Sequence, residues 1–295
     1  SLNQQPNVTV FADTAVVGWY KDTWLSAVRG SRLFKIRARS VVVATGVYET
    51  PLIFDNNDLP GVMLGSAVQR LFHLYGVAPG KQVLIVTAND DGWDVAADLH
   101  TMGVNVAAIV DERDYDACSS PYRNGLIAAR IPTFYGHTIL EALGSREVSG
   151  ARVARIAPPQ SGGERGVGDP TTAQTLRCDL IAVSMGWTPA TELVYMAGGK
   201  SVYNEERAEI LPVTTPPGVY VAGRAAGTHA LDAQLIEGRT AGLNAAAFIG
   251  LGDKPTDQSL HVSTPAFGGH PTFHEPRRTS DRVSVPGTKK RFLCY

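Results

Sequence analysis

The sequence predicts an α/β protein in which Rossmann-like parallel sheets are combined with an antiparallel β-meander. Three observations lead there. Three apolar runs close on glycine: Val41-Val42-Val43-Ala44-Thr45-Gly46, the stretch from Asp179 to Gly186, and Gly218-Val219-Tyr220-Val221-Ala222-Gly223. Runs of this kind suit strands buried on both faces. Between the first two, residues 82–110 read as strand, helix and strand, a length that favours a parallel, right-handed crossover. Ahead of all three, short alternating segments are broken by turn residues, the pattern of a meander.

Taken in order, strands are expected at Val8–Phe11, Ala15–Tyr20, Trp24–Arg29 and Leu33–Ala38, with Asp13-Thr14, Lys21-Asp22 and Gly30-Ser31 at the turns. Residues 51–61 are rich in Pro, Asn, Asp and Gly and read as loop. Ser66–Tyr75 is expected to be a helix, with Ser66 as its cap and Gly76 as its stop. The crossover unit is Gln82–Val86, Gly92–Thr101 and Val104–Val110. Short strands and turns fill 133–157, and the Gly- and charge-rich Ser161–Asp169 reads as an exposed hairpin tip. Leu176–Ser184 is a further strand, and Thr228–Ile249 a long Ala-rich helix. From Gly252 to Lys290, Pro, Thr and His recur without periodicity, as in an extended connector. The family resemblance set out below implies a division of the chain into a first dinucleotide-binding domain (1–60 and 190–250), an inserted second, degenerate NAD-binding-like domain (61–189) and a connector (251–295).

Lys and Arg total 27 and Asp and Glu 28, a net charge of −1, so electrostatics give no reason to expect nucleic acid or an anionic membrane. No apolar run is long enough to span a bilayer. Cys118, Cys178 and Cys294 are the only cysteines. An odd, sparse set without Cys-x-x-Cys argues against a disulfide framework and disulfide-reductase chemistry, and suits a reducing cytoplasm. The histidines follow no metal-binding spacing, and no catalytic residue is assigned. The chain opens on Ser1 and ends on the apolar run before Tyr295, so it is expected to be an internal piece of a longer protein.

The crossover unit departs from the dinucleotide fingerprint G-x-G-x-x-G, presenting Thr87, Asn89 and Gly92 at the three glycine positions. Only the third remains, the one that lets helix and strand pack closely. Asn89 carries a side chain where pyrophosphate approaches, and Asp90 and Asp91 add negative charge. Asp111, ending the second strand, is placed to accept ribose hydroxyls. Two readings stay open: a structural relic without tight nucleotide binding, or a nucleotide site using Gly92 and Asp111. In the last motif, Gly227 and Thr228 open the long helix, whose N-terminal N–H groups would face a pyrophosphate.

The ordered set of strand ends resembles the glutathione-reductase-like flavoproteins, in which a second dinucleotide domain interrupts the first. The resemblance implies a two-dinucleotide-binding-domain flavoprotein fold with the first domain incomplete at its N-terminus. Over residues 41–111 the strings "ATG-x-x-E-x-P", "NND-x-PGVML", "YGV-x-PG" and "T-x-ND" are similar to the alpha-subunit family of heterotetrameric sarcosine oxidase, and the similarity is best over residues 1–250. That resemblance implies NAD in the first domain, with FAD as the alternative, and FMN at a subunit interface. It also implies beta, gamma and delta-type partner subunits and a small amine substrate such as sarcosine. Tetrahydrofolate would bind only in a C-terminal part that this chain lacks. By the same resemblance, the backbone at Val10 should meet the adenine edge. Thr45 and Gly46 should lie near the pyrophosphate, with Gly223 to Thr228 beside them. Arg224 breaks the pattern: the family places there an Asp that holds the ribityl chain of FAD, and an arginine cannot accept a hydroxyl hydrogen. NAD, which has no ribityl chain, fits that change; a surface or interface arginine is the other reading.

Two alternatives remain. One is the alpha subunit of an opine, proline or cyanide-forming glycine dehydrogenase with an iron–sulfur motif, of which Cys294 would be the first ligand. The other is a docking module whose nucleotide sites have decayed.

Overall fold

The computed structural model describes residues 5–157, 167–204, 207 and 209–252. The chain divides into two compact units. The first holds the described residues up to Tyr48, Pro189–Asn204 and those from Glu209 onward; the second is built on Glu49–Thr188.

The first unit begins with the meander β1 (Ala15–Tyr20), β2 (Trp24–Arg29) and β3 (Arg32–Arg37), paired antiparallel in that order. Gly18 and Trp19 on β1 and Ser26 and Ala27 on β2 are its buried residues on these strands. The strand expected at Val8–Phe11 does not form. The segment joins no ladder, Val10 is 49% exposed, and Phe11 meets the Phe34 ring edge-on at 5.2 Å. Alternation of side chains makes a strand only where a neighbour takes up the backbone N–H and C=O groups. After β4 (Val41–Val43), β5 (Val47–Glu49) leads out of the unit.

The second unit is built on a parallel sheet of β6 (Val62–Leu64), β7 (Gln82–Thr87), β8 (Asn105–Asp111), β9 (Thr133–Tyr135) and a later strand over Leu180–Ser184. Helices α1 (Gly65–Tyr75), α2 (Asp91–Thr101) and α3 (Arg123–Ala128) connect them. Val83 to Val86 are fully buried because both sheet faces are covered. Leu84, Val86 and Val110 pack with Phe54, Ile139 and Val153. Val83, Ile85 and Ile109 pack with Trp93, Ala96 and Leu99 of α2. This period-two split of one apolar run between two cores is what a doubly covered parallel sheet requires. Ser66 does not cap α1 with its side chain; its backbone N–H instead donates to the Glu49 carboxylate at 2.8 Å. Gly76 ends the helix in the left-handed conformation, φ 65°.

Residues 133–157 form longer strands than their turns implied: β10 (His137–Gly144) and β11 (Val148–Arg155) make a hairpin, joined by β12 (Gln174–Leu176). The single strand expected over Leu176–Ser184 is two. Leu176 pairs antiparallel with Ala151, whereas β13 (Leu180–Ser184) pairs parallel with β6 and β7. Between them the Asp179 carboxylate accepts from the N–H groups of Lys81 and Gln82, which fixes the chain as it changes sheets. β14 (Trp187–Pro189) then leads back.

In the first unit again, α4 (Glu192–Met196) precedes a hairpin of β15 (Lys200–Asn204) and β16 (Glu209–Thr214). β17 (Val219–Val221) lies parallel to β4 with Val219↔Val41, Tyr220↔Val42 and Val221↔Val43 in register. The final helix α5 spans Leu231–Phe248, starting later than Thr228 because Gly223–Ala226 form a separate 3-10 turn. The tip residues 161–166, Cys294, and the connector beyond Gly252 lie outside the described residues. Among the described residues, no helix is long and apolar enough to cross a membrane.

Gly92 makes the closest helix–strand approach in the crossover unit: a Cβ there would lie 2.3 Å from Thr87 Oγ1 and 2.4 Å from Thr87 Cβ. Gly92→Ala is expected to destabilise the chain by about 1–3 kcal/mol, as overpacking of a filled site does. Urea denaturation would show this as a lower midpoint with an unchanged slope.

Candidate dinucleotide sites

In the first unit, parallel pairing of β4 and β17 sets two strand C-termini beside each other, the edge at which α/β sheets bind ligands. Ala222 continues the ladder by donating to the Val43 carbonyl at 3.0 Å. Thr45–Gly46 and Gly223–Thr228 are thereby brought together. Gly46 and Gly223 have φ of 77° and 74°, and a Cβ on either would meet nothing within 4 Å. Their backbone is open to close approach, which fits a phosphate-bearing ligand. Thr45 Oγ1 donates to the Ala190 carbonyl, and Ala190 N–H to Gly46, so the first turn is tied to the returning chain. Thr228 is buried, its N–H donating to the Gly223 carbonyl at 3.2 Å, and Gly227 closes the turn at φ 83°. Arg224 lies half-buried within this turn. Val10 sits apart from any ladder, as described above.

Acidic residues missed in the sequence complete this region. Glu237, on α5, accepts from the Gly223 N–H at 2.7 Å. Glu209, at the start of β16, is 6% exposed and pairs with His229 at 2.8 Å. No local spacing announces either contact, since each joins segments far apart in sequence.

The second unit closes its would-be phosphate site with its own groups. Thr87 Oγ1 donates to the Asn89 and Ser184 carbonyls, both at 2.9 Å. Asn89 Oδ1 takes the N–H of Gly92, 3.2 Å away, filling the helix N-terminus that a phosphate would use. Asn89 Nδ2 is buried without a partner among the described residues. Asp111 is fully buried, and its oxygens are held by Trp93 Nε1 at 2.8 Å, the Arg113 backbone N–H at 2.9 Å and the Arg113 guanidinium. The carboxylate expected to meet ribose is therefore engaged internally. Arg113 also reaches Asp90 at 2.8 Å. Burial lowers the Arg113 pKa, but hydrogen bonding to Asp111 and the two carboxylate charges outweigh it and raise it overall. Asp-x-Arg at a strand end was the available sequence signal for this pair.

Carboxylates crowd the start of α2. Trp187 Nε1 donates to Asp91. Asp94 is pushed up to about 6, first by burial and then by Asp91, Asp90 and Asp98. Glu49 is raised mainly by burial, against the hydrogen bonds from Ser66.

The parallel sheets and paired strand ends define the two-dinucleotide-binding-domain fold of flavoproteins. Among the solved structures that share it are L-proline dehydrogenase from P. horikoshii, with TM-score 0.60, 22% identity, and coverage of 82% of this chain and 42% of that one, and T. acidophilum thioredoxin reductase, with TM-score 0.55, 18% identity, and coverage of 80% and 72%.

Within that class, the chain is a homologue of the sarcosine oxidase alpha subunit. It is 34% identical to that of Rhizobium meliloti (strain 1021) over 251 residues, covering 80% of this chain and 23% of the relative. To that of Corynebacterium sp. (strain P-1) it is 30% identical, covering 88% and 26%. The chain thus spans about a quarter of the length of these relatives. An opine oxidase subunit of Agrobacterium tumefaciens (strain Ach5) is 26% identical, covering 86% and 54%. No protein-family profile matches the chain.

Asp111→Asn is expected to cost about 3 kcal/mol, because Arg113 would keep a buried charge with only the partly exposed Asp90 opposite it; chemical denaturation measures this. Asp94 carries the opposite sign to a paired carboxylate. Raised from its ordinary 3.8 to about 6, it gives a contribution that is fully present below pH 3.8 and lost as pH rises through 6. Asp94→Asn should therefore flatten stability between pH 4 and 6. It should also stabilise the chain at pH 7–8, on the order of 1 kcal/mol after solvent screening, read from melting curves across pH.

Proposed function

We propose that the chain is a segment of the alpha-type subunit of a sarcosine oxidase-like flavoenzyme complex that oxidises an N-methyl amine. In this reading the first unit holds NAD, flavins lie at or beyond a subunit interface, and beta, gamma and delta-type subunits complete the assembly. The amine-oxidising residues belong to another chain. The observation that carries the reading is the parallel β4–β17 pairing, with the open glycines Gly46 and Gly223 at adjoining strand ends. Gly46 and the turn from Gly223 through Thr228 would lie beside the pyrophosphate, with the Gly223 N–H itself held by Glu237, while Thr45 fixes the turn through Ala190. The dinucleotide itself supplies hydride or electron chemistry; the protein supplies position and electrostatics. The second unit serves as scaffold, with Asn89, Asp111 and Arg113 holding its sheet edge together. FAD in place of NAD in the first unit is the alternative cofactor.

A second reading, the alpha subunit of an opine, proline or cyanide-forming glycine dehydrogenase, is favoured by the match to the opine oxidase subunit, which extends over 54% of that relative.

The test is to purify the complete parent protein with its partner subunits, release its nucleotides by denaturation and separate them by chromatography. NAD retained by the alpha-type chain and oxidation of sarcosine are the expected results. Turnover of opines or proline instead favours the second reading, and neither dinucleotide nor amine oxidation overturns both. Gly223→Val, which puts a branched side chain at φ 74° in the open turn, is expected to lower dinucleotide retention at least tenfold, a loss of about 1.4 kcal/mol in binding, with an unchanged circular-dichroism spectrum.

A further inference from the structure

We propose that an open cavity in the first unit binds a small organic anion, with its phosphate or carboxylate group between Arg37 and Arg39. The cavity measures about 580 Å³, a size that takes a small molecule. It lies where β3 ends and ahead of β4, next to the last residues of α5. It is thus separate from the strand C-termini at Thr45 and Gly223. Each guanidinium carries five N–H donors and no acceptor. Arg39 Nη2 donates to the Ile249 carbonyl at 2.9 Å, which offsets the negative end of α5. Arg37 rests 5.8 Å from the centre of the Trp24 ring. Neither arginine pairs with a carboxylate among the described residues, so most of these donors have no protein acceptor. The lining sets two arginines against one acidic residue, Asp22, and keeps a surplus of positive charge. Like charges that share a cavity repel, and an anion between them removes that cost. Guanidinium matches phosphate and carboxylate oxygens two at a time. Phe248, which is 49% exposed, and Ile249 add apolar wall, so the ligand that fits has an aromatic or hydrocarbon body behind its charge. The remaining wall is fixed in advance. Thr23 has φ 55°, uncommon for a β-branched residue. It is held there by its Oγ1, which donates to the Ala38 carbonyl, and by the Ala38 N–H, which donates to the Thr23 carbonyl at 3.3 Å. Backbone strain of this kind persists only where the surroundings impose it, and ligand clamps are among such places.

The parent complex, saturated with NAD and FAD, is titrated calorimetrically with inorganic phosphate, phenyl phosphate and benzoate. Saturable binding of phenyl phosphate or benzoate is expected, and the tighter of the two identifies the oxyanion. Its affinity should fall about tenfold in Arg37→Gln and in Arg39→Gln, the scale of one hydrogen bond to a charged group. Arg32→Gln removes an exposed arginine of β3 outside the cavity and should leave the affinity unchanged. If Arg39→Gln loosens the end of α5, seen as lost helicity by circular dichroism, Arg37→Gln carries the comparison. No saturable binding by wild type, undiminished affinity in Arg37→Gln, or an equal loss in Arg32→Gln overturns the site. So does inorganic phosphate binding as tightly as both aromatic anions, which would mean attraction of ions to surface charge only. None of these outcomes touches the dinucleotide reading, which rests on the opposite ends of β4 and β17.

Discussion

Parallel pairing of Val41–Val43 with Val219–Val221 is the constraint on which the first unit depends. The partners are separated by an entire α/β lobe, yet closing so long an interval costs little more than closing a shorter one, since loop entropy grows only with the logarithm of length. The lobe also has its own doubly covered sheet and cores, so the intervening chain is not a free coil. Once the two short strands align, their carboxyl ends and the glycine turns that follow must lie at one edge. The open site is a consequence of that register.

The two units treat the same strand–turn–helix geometry differently. In the first, a Cβ added at Gly46 or Gly223 would meet nothing within 4 Å, although the Gly223 N–H is held by Glu237. In the second, Asn89 caps the helix and Arg113 bridges Asp90 and Asp111, so the donors and acceptors a nucleotide would use are matched internally. Crowded carboxylates at the helix start, with Asp94 raised to about 6, make that edge less hospitable to phosphate. A buried ion pair of this kind is a weak source of net stability, because desolvation offsets its Coulomb attraction, but breaking it strands a charge. The second unit thus engages Asp111 and the Gly92 N–H with its own groups, and Gly92 sits in close contact with Thr87.

The fold was legible where local pattern and tertiary environment agree. Runs such as Val83–Val86 are apolar throughout because both faces are covered, whereas in β3 half-buried Phe34 and Ile36 alternate with exposed Leu33, Lys35 and Arg37. It was illegible where a segment's fate depended on a partner. Val8–Phe11 alternates as a strand does but found no neighbour, and Leu176–Ser184 reads as one strand but serves two sheets.

The sequence by itself determined the order of the glycine-ended strands, the loss of two fingerprint glycines and the homology to the sarcosine oxidase alpha subunit, because these are properties of residue type and spacing. Only the tertiary structure decided that Asp111 faces Arg113 and Trp93 rather than an open edge, and that Glu209 meets His229 near the turn carrying Arg224. A carboxylate's type says that it will accept hydrogen bonds. Which donors reach it is set by strands and helices brought together from distant parts of the chain.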